Sequence, residues 1–408
     1  MVQRRYAVRV AIGAVRVGVD VTPLLGNRTG VGQFVAALVG GFAADPSSNS
    51  RSIANASADI ALHPFSVTAK GWRSGPTQTT QRWPMPARPL RELWRKFDVP
   101  PIEWWTGALD VVHGTNFVVP PAKRAVELVS VHDMTTVRFP ELCTPDTLQY
   151  PQLIARALDR GAHVHTDSAF VAGEVIEHFG VEPARVHTIH LGLPFNGPCP
   201  PDSAEVSRAD GAPFLLAIGT IEPRKDYPSL LRAFGLVARL DPDLRLVIVG
   251  QPGWGEQAFA ETLAQLPKEV CARIDRRGFV DERERQVLLR GASVLVYPSV
   301  YEGFGLPPLE AMVAGVPVVA TTAGSLPEIL GDAALLVEPS DHVALAGAIQ
   351  RVLGDSVLSR DLQSRGYANA ARFSISTMIE NFTGLYGRLG SLSGIRQGTR
   401  HVRERRAS

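Results

Sequence analysis

Short apolar runs recur along most of this chain, and longer segments with helical spacing separate them. In the first half they lie at residues 15–21, 110–113, 128–132, 164–166 and 186–190. In the second half they lie at residues 214–219, 244–250, 294–297 and 316–321. Near-continuous apolar runs are typical of parallel strands that are buried on both faces, and such strands need helical crossovers between them. The pattern therefore predicts an α/β chain built on parallel sheets.

The two series of strands predict two domains. A chain of 408 residues exceeds the roughly 250 to 300 residues at which a single hydrophobic core stops growing. Between the series, the run Pro198-Cys199-Pro200-Pro201 can hold neither a helix nor a strand ladder. In chain order we predict an N-terminal domain, a linker, a C-terminal domain, a closing amphipathic helix that returns to the N-terminal domain, and a basic disordered tail, at residues 1–195, 196–212, 213–372, 373–390 and 391–408.

The bulk composition excludes several classes of protein. A formal net charge of +2 is too small to indicate a nucleic-acid partner. The cysteines form no CxxC pair, which argues against a zinc site or a disulfide framework and favours a reducing compartment. Arg9 and Arg16 interrupt the apolar run near the start, so we reject a signal peptide. We expect a cytoplasmic protein, with contact between its arginine-rich tail and the inner face of the plasma membrane as an open alternative.

The most informative segment follows the predicted strand at residues 294–297. Its glycines allow the backbone to turn sharply and approach a ligand, and the prolines that follow fix the first turn of a helix. The free N–H groups at such a helix start attract phosphate. We therefore predict that this turn contacts a phosphate-bearing ligand through Gly303, Phe304, Gly305 and Leu306.

Two carboxylates border the same turn. Glu302 lies on the loop, and Glu310 lies within the first turns of the predicted helix. A carboxylate accepts hydrogen bonds from vicinal hydroxyl groups and repels phosphate, so both residues are predicted to bind sugars. For Glu310 the alternative is a carboxylate that the helix dipole favours near the N-terminus.

A pair of cations follows the first strand of the same predicted domain. Arg224 and Lys225 come shortly after Gly219, which ends that strand. Arg can bind phosphate oxygens in a bidentate manner and Lys acts as a point charge, so together they match a diphosphate leaving group. The alternative is a solvated basic pair that closes a loop.

Three segments resemble retaining glycosyltransferase family 4: residues 219–225 (GTIEPRK), 302–310 (EGFGLPPLE) and 321–328 (TTAGSLPE). The resemblance implies an α/β fold of the GT-B type, with two Rossmann-like, doubly wound domains that face each other across a cleft. It also implies that Glu302 holds the donor sugar, that Glu310 binds the ribose, and that Arg224 and Lys225 bind the diphosphate. Residues 277–280 (RGFV) are similar to the family's base-binding loop. By that resemblance, Phe279 and Val280 flank the nucleobase.

The resemblance extends to the first domain. The predicted loop with Gly30 and Gly32, before a helix at residues 33–42, is similar to the family's glycine loop near the donor diphosphate. It does not complete a GxGxxG motif, so we set aside a dehydrogenase. His132 with Asp133 resembles the His-Asp pair that relatives place beside the donor sugar, where a neutral imidazole hydrogen-bonds a hydroxyl or orients the acceptor. His113 ends another strand, and which of the two histidines faces the sugar stays open, as does a structural role for either.

Taken together, the resemblance implies a metal-independent, retaining hexosyltransferase with a nucleotide-sugar donor, no cofactor, and a glycan or lipid-linked acceptor. The GTIEPRK form and the segment after His132 are similar to mannosyltransferases, which favours GDP-mannose as the donor. A UDP-sugar-dependent transferase, a GT-B nucleotide-sugar epimerase and a non-catalytic nucleotide-binding module remain alternatives. No side chain suggests a covalent nucleophile, so we expect front-face substitution in which the leaving phosphate helps to deprotonate the acceptor. The segment Asp241-Pro242-Asp243 imitates a metal motif, but we interpret it as a turn.

Five of the six tryptophans lie between residues 72 and 105, interleaved with basic residues. Packing in the core is one interpretation. The other is an amphipathic face that docks on a membrane carrying a lipid-linked acceptor, which a double change of Trp94 and Arg95 would test.

Overall fold

The computed structural model describes residues 14–25, 30–43, 59–74, 78–193 and 212–406. The chain divides into two compact units. Unit 1 comprises Met1–Gly192 and Ile375–Ser408, and unit 2 comprises Leu193–Ser374. The predicted linker lies outside the described residues up to residue 211.

Unit 1 contains a parallel sheet whose strand order is β2-β1-β3-β4-β5-β6. The strands are β1 (Val15–Asp20), β2 (Ile60–Phe65), β3 (Val111–Gly114), β4 (Val126–Val131), β5 (His163–Thr166) and β6 (Val186–Thr188). The helices between them are α1 (Gly30–Ala43), α2 (Ala69–Ser74), α3 (Ala87–Lys96), α4 (Glu103–Thr106), α5 (Thr135–Arg138), α6 (Tyr150–Asp159) and α7 (Ala169–Phe179). The chain runs from β1 outward to β2 and then returns to the other side of β1, so the topological switch point lies between β1 and β3.

Unit 2 contains a second parallel sheet, with strand order β12-β11-β10-β7-β8-β9. Its strands are β7 (Phe214–Ile218), β8 (Arg245–Val249), β9 (Ile274–Gly278), β10 (Val294–Tyr297), β11 (Val318–Thr321) and β12 (Leu335–Val337). Its helices are α8 (Tyr227–Val237), α9 (Glu256–Leu263), α10 (Lys268–Cys271), α11 (Glu282–Gly291), α12 (Leu306–Val313), α13 (Leu326–Leu330), α14 (His342–Gly354) and α15 (Ser356–Ala370). This strand order is that of the Rossmann fold, with the switch point between β7 and β10.

The apolar runs correspond to the middle strands of each sheet and to one edge strand, β6, and the three strands missed from the sequence lie at the other edges. The missed strands are β2, β9 and β12. Strand β2 contains Pro64, which an edge strand tolerates, and β9 contains Arg276 and Arg277. Because an edge strand is only partly buried, it has no need for a continuous apolar run.

Helix α8 shows how local sequence sets an element's bounds. Asp226 is the N-cap, and its carboxylate accepts a hydrogen bond from the N–H of Ser229 at 3.3 Å. Leu230, Phe234 and Val237 form one stripe with exposures of 2% or less. The cap and the buried stripe together fix the direction in which the chain leaves β7.

The closing helix α16 (Ile375–Arg406) belongs to unit 1. It starts at residue 375 instead of the predicted 373. The disorder predicted from residue 391 is wrong for the residues described as helical, because the helix continues to Arg406. The physical reason lies in the packing: Tyr386, Leu389 and Ser393 extend a buried stripe past residue 390, each with 1% exposure or less. Tertiary contacts of this kind stabilise a helix beyond what its local sequence favours.

The tryptophan-rich segment divides into buried and exposed residues. Trp94 is 1% exposed, and its indole N–H donates to the carbonyl oxygen of Pro100 at 3.1 Å. The choice of Trp94 to test a membrane-facing surface is therefore wrong, because this side chain belongs to the core. Trp83 and Trp104 are 53% and 63% exposed. In the described part of the chain, no helix combines the length and the apolar character needed to cross a bilayer.

Candidate active site

The candidate site lies at the switch point of the unit 2 sheet. The loop after β7 and the loop after β10 meet there because these two strands are neighbours. The N–H of Val300 donates to the carbonyl oxygen of Arg224 at 2.8 Å, which joins the two loops. Ligands of doubly wound sheets bind outside the carboxyl ends of the strands at such a point.

Four side chains form an ion-pair cluster between these loops, named here the switch-point cluster: Glu222, Arg224, Lys225 and Glu302. The Nζ of Lys225 lies 2.6 Å from Glu302 Oε1, and the Nη1 of Arg224 lies 2.8 Å from Glu302 Oε2. The Nη2 of Arg224 lies 2.7 Å from Glu222 Oε1. The structure thus brings together Arg224, Lys225 and Glu302, which the sequence analysis assigned to the donor. Glu222 was missed, although it lies within the same motif.

Burial and ion pairing act in opposite directions on this cluster. Burial alone would raise the pKa of Glu302, but Arg224 and Lys225 lower that pKa to about 2. Burial also lowers the pKa of Lys225, and Glu302 opposes that effect. The two carboxylates cancel the formal charge of the two cations. A diphosphate that binds here must therefore share the cations with Glu222 and Glu302.

Two glycines make the tight backbone at this site possible. Gly305 is the N-cap of α12 with a φ of 98°, and an added Cβ would lie 2.7 Å from a side-chain carbon of Leu326. Gly324 has a φ of 59°, and an added Cβ would lie 2.3 Å from the carbonyl oxygen of Glu302. Other residues rarely adopt such φ values. The predicted turn is therefore present, and the helix begins at the predicted Leu306.

Glu310 has a different partner from Glu302. Arg285 of α11 donates to it through both guanidinium Nη atoms, with Nη1 at 2.8 Å from Oε1. Among the described contacts, none joins Glu310 to the switch-point cluster. Burial raises the pKa of Glu310, and Arg285 opposes that shift. Each carboxylate oxygen keeps a second lone pair with which it can accept a ribose hydroxyl. Sequence reasoning missed Arg285, because it lies among other charged residues in the first half of a helix, with no motif that marks it.

The two residues predicted to flank a base differ in exposure. Phe279 is 61% exposed at the carboxyl end of β9, whereas Val280 is 7% exposed. Of the two side chains, only that of Phe279 is therefore open to a ligand. Trp254, on the loop after β8, is 54% exposed and was missed. That loop and Gly278 are adjacent, because the N–H of Gly250 donates to the carbonyl oxygen of Gly278 at 2.8 Å.

Both ring nitrogens of His132 in unit 1 form hydrogen bonds with acceptors of the protein. Nδ1 lies 2.7 Å from Asp167 Oδ2, and Nε2 lies 2.8 Å from the carbonyl oxygen of Thr115. Two acceptors require two N–H groups, so the ring is an imidazolium. Burial lowers its pKa, but Asp167 and Thr115 outweigh burial and raise it. The predicted neutral imidazole that binds a hydroxyl is therefore wrong, and the partner of His132 is Asp167. Asp133 instead accepts the N–H of Thr135 at 2.9 Å.

His113 belongs to a buried chain of hydrogen bonds. His165 Nε2 donates to the carbonyl oxygen of Ile189 at 3.0 Å, so its Nδ1 accepts from the hydroxyl of Ser130 at 2.8 Å. Ser130 in turn accepts from His113 Nε2, and His113 Nδ1 accepts from the hydroxyl of Tyr386, both at 2.8 Å. The idea that His113 faces a sugar is therefore wrong. The residue connects the sheet of unit 1 to the closing helix.

The glycine pair of unit 1 lies in a helix. Gly30 and Gly32 form the first turn of α1, which starts three residues before the predicted helix at 33–42. The predicted glycine loop is therefore wrong at these positions, and residues 26–29 lie outside the described residues. Gly32 is buried. A first helical turn still offers free backbone N–H groups to an anion.

No group of three or more His, Cys, Asp or Glu side chains within the described residues could hold a metal ion. The segment with Asp241 is a turn, as predicted. Its carboxylate accepts the N–H of Asp243 at 3.1 Å.

Comparison with known proteins identifies relatives of the chain. The family model described as glycosyl transferases group 1 matches residues 201–369. Over 279 residues the chain is 34% identical to the O-antigen chain mannosyltransferase B of Escherichia coli, covering 65% of this chain and 70% of that protein. Over 261 residues it is 33% identical to the D-inositol 3-phosphate glycosyltransferase of Streptomyces scabiei, covering 59% of this chain and 57% of that protein.

Solved structures share the fold. Sucrose-phosphate synthase from Thermosynechococcus elongatus superposes with a TM-score of 0.67 at 20% identity, covering 93% of this chain and 100% of that chain. The Anabaena protein HepE in complex with UDP superposes with a TM-score of 0.62 at 18% identity, covering 92% of this chain and 100% of that chain. Identities this low show the fold alone. The predicted GT-B fold of two Rossmann-like domains is thereby confirmed.

Proposed function

Since this chain belongs to the glycosyl transferases of group 1, we propose that it transfers a mannosyl residue from GDP-mannose to a hydroxyl group of a glycan or lipid-linked acceptor, with retention of anomeric configuration. The switch-point cluster is the observation that carries this proposal. Two cations and a carboxylate converge at the edge of the unit 2 sheet where ligands bind. This combination suits a diphosphate joined to a sugar.

The chemistry of the proposed step follows from the residue types. When the bond between the anomeric carbon and the diphosphate oxygen breaks, its electron pair moves to that oxygen. Arg224 and Lys225 stabilise the developing charge, together with the free N–H groups at the start of α12. Glu302 accepts hydrogen bonds from the hydroxyls of the transferred sugar.

The acceptor oxygen bonds to the same face of the sugar, and its proton passes to the departing phosphate. This step needs no covalent enzyme intermediate. Glu302 supports that view, because both of its oxygens are already paired with cations. A glycosyl adduct trapped on the enzyme and detected by mass spectrometry would contradict front-face substitution.

Donor and acceptor identity rest on the relatives. One relative is an O-antigen chain mannosyltransferase and another a D-inositol 3-phosphate glycosyltransferase, so mannose is favoured, and a UDP-sugar is the alternative. The test is a panel of GDP- and UDP-sugars, monitored for release of nucleoside diphosphate with and without membrane extract. Extract-dependent release of GDP from GDP-mannose is expected. Selective use of a UDP-sugar, or a free epimer formed from the donor alone, would contradict the proposal.

We also propose that the transfer needs no divalent cation, because Arg224 and Lys225 supply the positive charge that metal ions supply in other phosphoryl sites. The enzyme is therefore expected to keep its rate after treatment with EDTA. A loss of activity that Mg²⁺ or Mn²⁺ restores would contradict this part of the proposal.

An exposed aromatic surface of unit 1 supports a peripheral membrane contact. Phe97 and Trp104 are 56% and 63% exposed, and the exposed Arg88 and Lys96 lie in the same segment. Aromatic rings and basic groups together suit the interface of an anionic bilayer. We expect flotation with phosphatidylglycerol vesicles, and a weaker association for Phe97→Ser with Trp104→Ser. The exposed Trp254 of unit 2 offers a control change, Trp254→Ser, and equal binding by both variants would contradict the contact.

A further inference from the structure

Asp20 ends β1, at the switch point of the other sheet. The hydroxyl of Thr115, after β3, donates to the backbone carbonyl oxygen of Asp20 at 2.6 Å and so spans the β1–β3 junction. The carbonyl oxygen of Thr115 accepts from His132 at 2.8 Å. Thr115 therefore links Asp20 to His132, and the three residues lie at the carboxyl ends of three adjacent strands, β1, β3 and β4.

The two oxygens of the Asp20 carboxylate differ in their hydrogen bonds to the described residues. Oδ1 accepts from both the backbone N–H and the hydroxyl of Thr22, at 2.9 and 2.5 Å. The other oxygen, Oδ2, receives no hydrogen bond from any described residue. It is not shielded from solvent. The residue is 7% exposed. The carboxylate is thus fixed on one side, while the other side can accept a hydrogen bond from a ligand.

Two further groups define the surroundings of this carboxylate. Arg91 of α3 lies close enough to lower the pKa of Asp20 and of Tyr150. Within the described residues, Arg91 makes no ion pair or hydrogen bond. The ring of Tyr150 stacks on Phe117, with centroids 4.9 Å apart. A carboxylate, a free guanidinium and stacked aromatic rings at one sheet edge are groups that bind a polar, hydroxyl-rich molecule.

The backbone at Phe117 is strained in a way that supports a binding role. Its φ is 58°, and the N–H of Val118 donates to the carbonyl oxygen of Asn116 at 2.8 Å. A side chain as bulky as Phe rarely adopts this conformation. Such strain concentrates at ligand sites, where the surrounding structure maintains it.

From this geometry we propose that Asp20 binds the acceptor: its Oδ2 accepts a hydrogen bond from a hydroxyl group of an acceptor that docks on unit 1. The proposal rests on the proposed glycosyl transfer and adds the acceptor-binding residue to it. The hydrogen bond fixes the acceptor in position on unit 1. Asp20 takes up no proton, because the proton of the hydroxyl that receives the sugar passes to the departing phosphate.

The ionisation of Asp20 is consistent with this role. Burial raises its pKa, the hydrogen bonds from Thr22 and the charge of Arg91 lower it, and the balance is a pKa of about 6. At neutral pH the carboxylate is therefore ionised and acts as an acceptor only. Asp20 carries no signal in local sequence beyond its place at the end of a strand.

The test compares donor binding with transfer in Asp20→Asn. The amide oxygen can still accept both bonds from Thr22, but the NH₂ group that replaces Oδ2 cannot accept a hydrogen bond. We expect unchanged GDP affinity by calorimetry and a fall in acceptor-dependent transfer of about 10- to 100-fold, the scale of one lost hydrogen bond to a charged group. Asp159→Asn, an exposed change at the end of α6, is the matched control and is expected to match wild type. Unchanged transfer, or an equal loss of GDP affinity, would overturn the proposal.

A second variant keeps the proposal testable if Asp20→Asn fails to fold. Arg91→Gln removes the charge that lowers the pKa of Asp20, so the acid limb of the transfer rate against pH should move to higher pH. GDP affinity should stay constant. An unmoved acid limb would overturn the proposal. If wild-type protein neither binds GDP nor transfers mannose, the proposed function fails instead, which separates the two hypotheses.

Discussion

The Nζ of Lys225 donates a hydrogen bond of 2.6 Å to the carboxylate of Glu302, although the two residues are 77 positions apart. The contact exists because β7 and β10 are neighbours and both loops start at the same edge of the sheet. Both side chains are at most 12% exposed. Each buried charge is therefore stabilised by the other. The same pair supplies groups to the proposed reaction.

Removing the charge of Glu302 should affect both stability and activity. In Glu302→Gln, Arg224 and Lys225 lose their shared counter-charge in a buried site, and breaking a buried pair typically costs about 3–5 kcal/mol. We expect a lower unfolding temperature by calorimetry and almost complete loss of transfer. The exposed Glu338→Gln serves as the control. An unchanged unfolding temperature for Glu302→Gln would show that the ion pairs are not formed.

Glu222 should weaken donor binding, because it occupies Arg224 at 2.7 Å. In Glu222→Gln the side chain can still accept the hydrogen bond, but the cluster gains one net positive charge. We expect GDP to bind a few-fold more tightly, with the difference shrinking at high salt because charge interactions are screened. Calorimetric titration at two salt concentrations measures this. Weaker GDP binding would mean that Glu222 positions Arg224 more than it competes with the diphosphate.

The predicted base-binding pair should separate into a ligand contact and a core residue. Phe279→Ala should lower GDP affinity by about 1 kcal/mol, the scale of one aromatic contact, and leave the unfolding temperature unchanged, because the ring is 61% exposed. Val280→Ala should lower the unfolding temperature and leave GDP affinity unchanged, since Val280 is 7% exposed. If Phe279→Ala leaves GDP binding intact, the base lies elsewhere, and the exposed Trp254 is the next residue to test.

Acid should destabilise unit 1 through its buried histidines. Burial lowers the pKa of His165 to about 4 and that of His113 well below its usual value. An unfolded histidine titrates near 6.5. The unfolded chain therefore takes up protons first, and stability is lost as pH falls from about 6.5 towards 4. His132 has a raised pKa and acts in the opposite direction.

Denaturant unfolding at several pH values can isolate this effect. His165→Gln should reduce the dependence of the free energy of unfolding on pH below 6.5, because it removes one group with a lowered pKa. The exposed His178→Gln serves as the control variant. Equal slopes for wild type and His165→Gln would contradict the buried, neutral state of this ring.

The parts predictable from sequence are those in which local pattern and topology agree. Arg224, Lys225 and Glu302 follow apolar strands, and the rule that carboxyl ends meet at one edge was enough to bring them together. The same rule did not identify Arg285 as the partner of Glu310. That contact depends on how two helices pack, and neither helix carries a local signal for it.

The roles of His132 and His113 could not be predicted from their neighbours in sequence. His132 stands next to Asp133 in sequence, but its partner Asp167 directly follows β5, the neighbour of β4 in the sheet. His113 ends a strand, as an active-site residue could, yet Tyr386 reaches it from a helix 273 positions later. Side-chain partners that come from distant elements decide protonation state and role, and no local pattern contains them.

The switch-point cluster is proposed to bind the diphosphate of GDP-mannose and to promote transfer of its sugar. The most direct measurement is mannose transfer from labelled GDP-mannose to a membrane extract by wild type and by Lys225→Met, once both are shown to fold. Wild type should transfer label and release an equal amount of GDP, and Lys225→Met should be slower by about 10²-fold or more. An equal rate for the two proteins would show that Lys225 takes no part in the transfer.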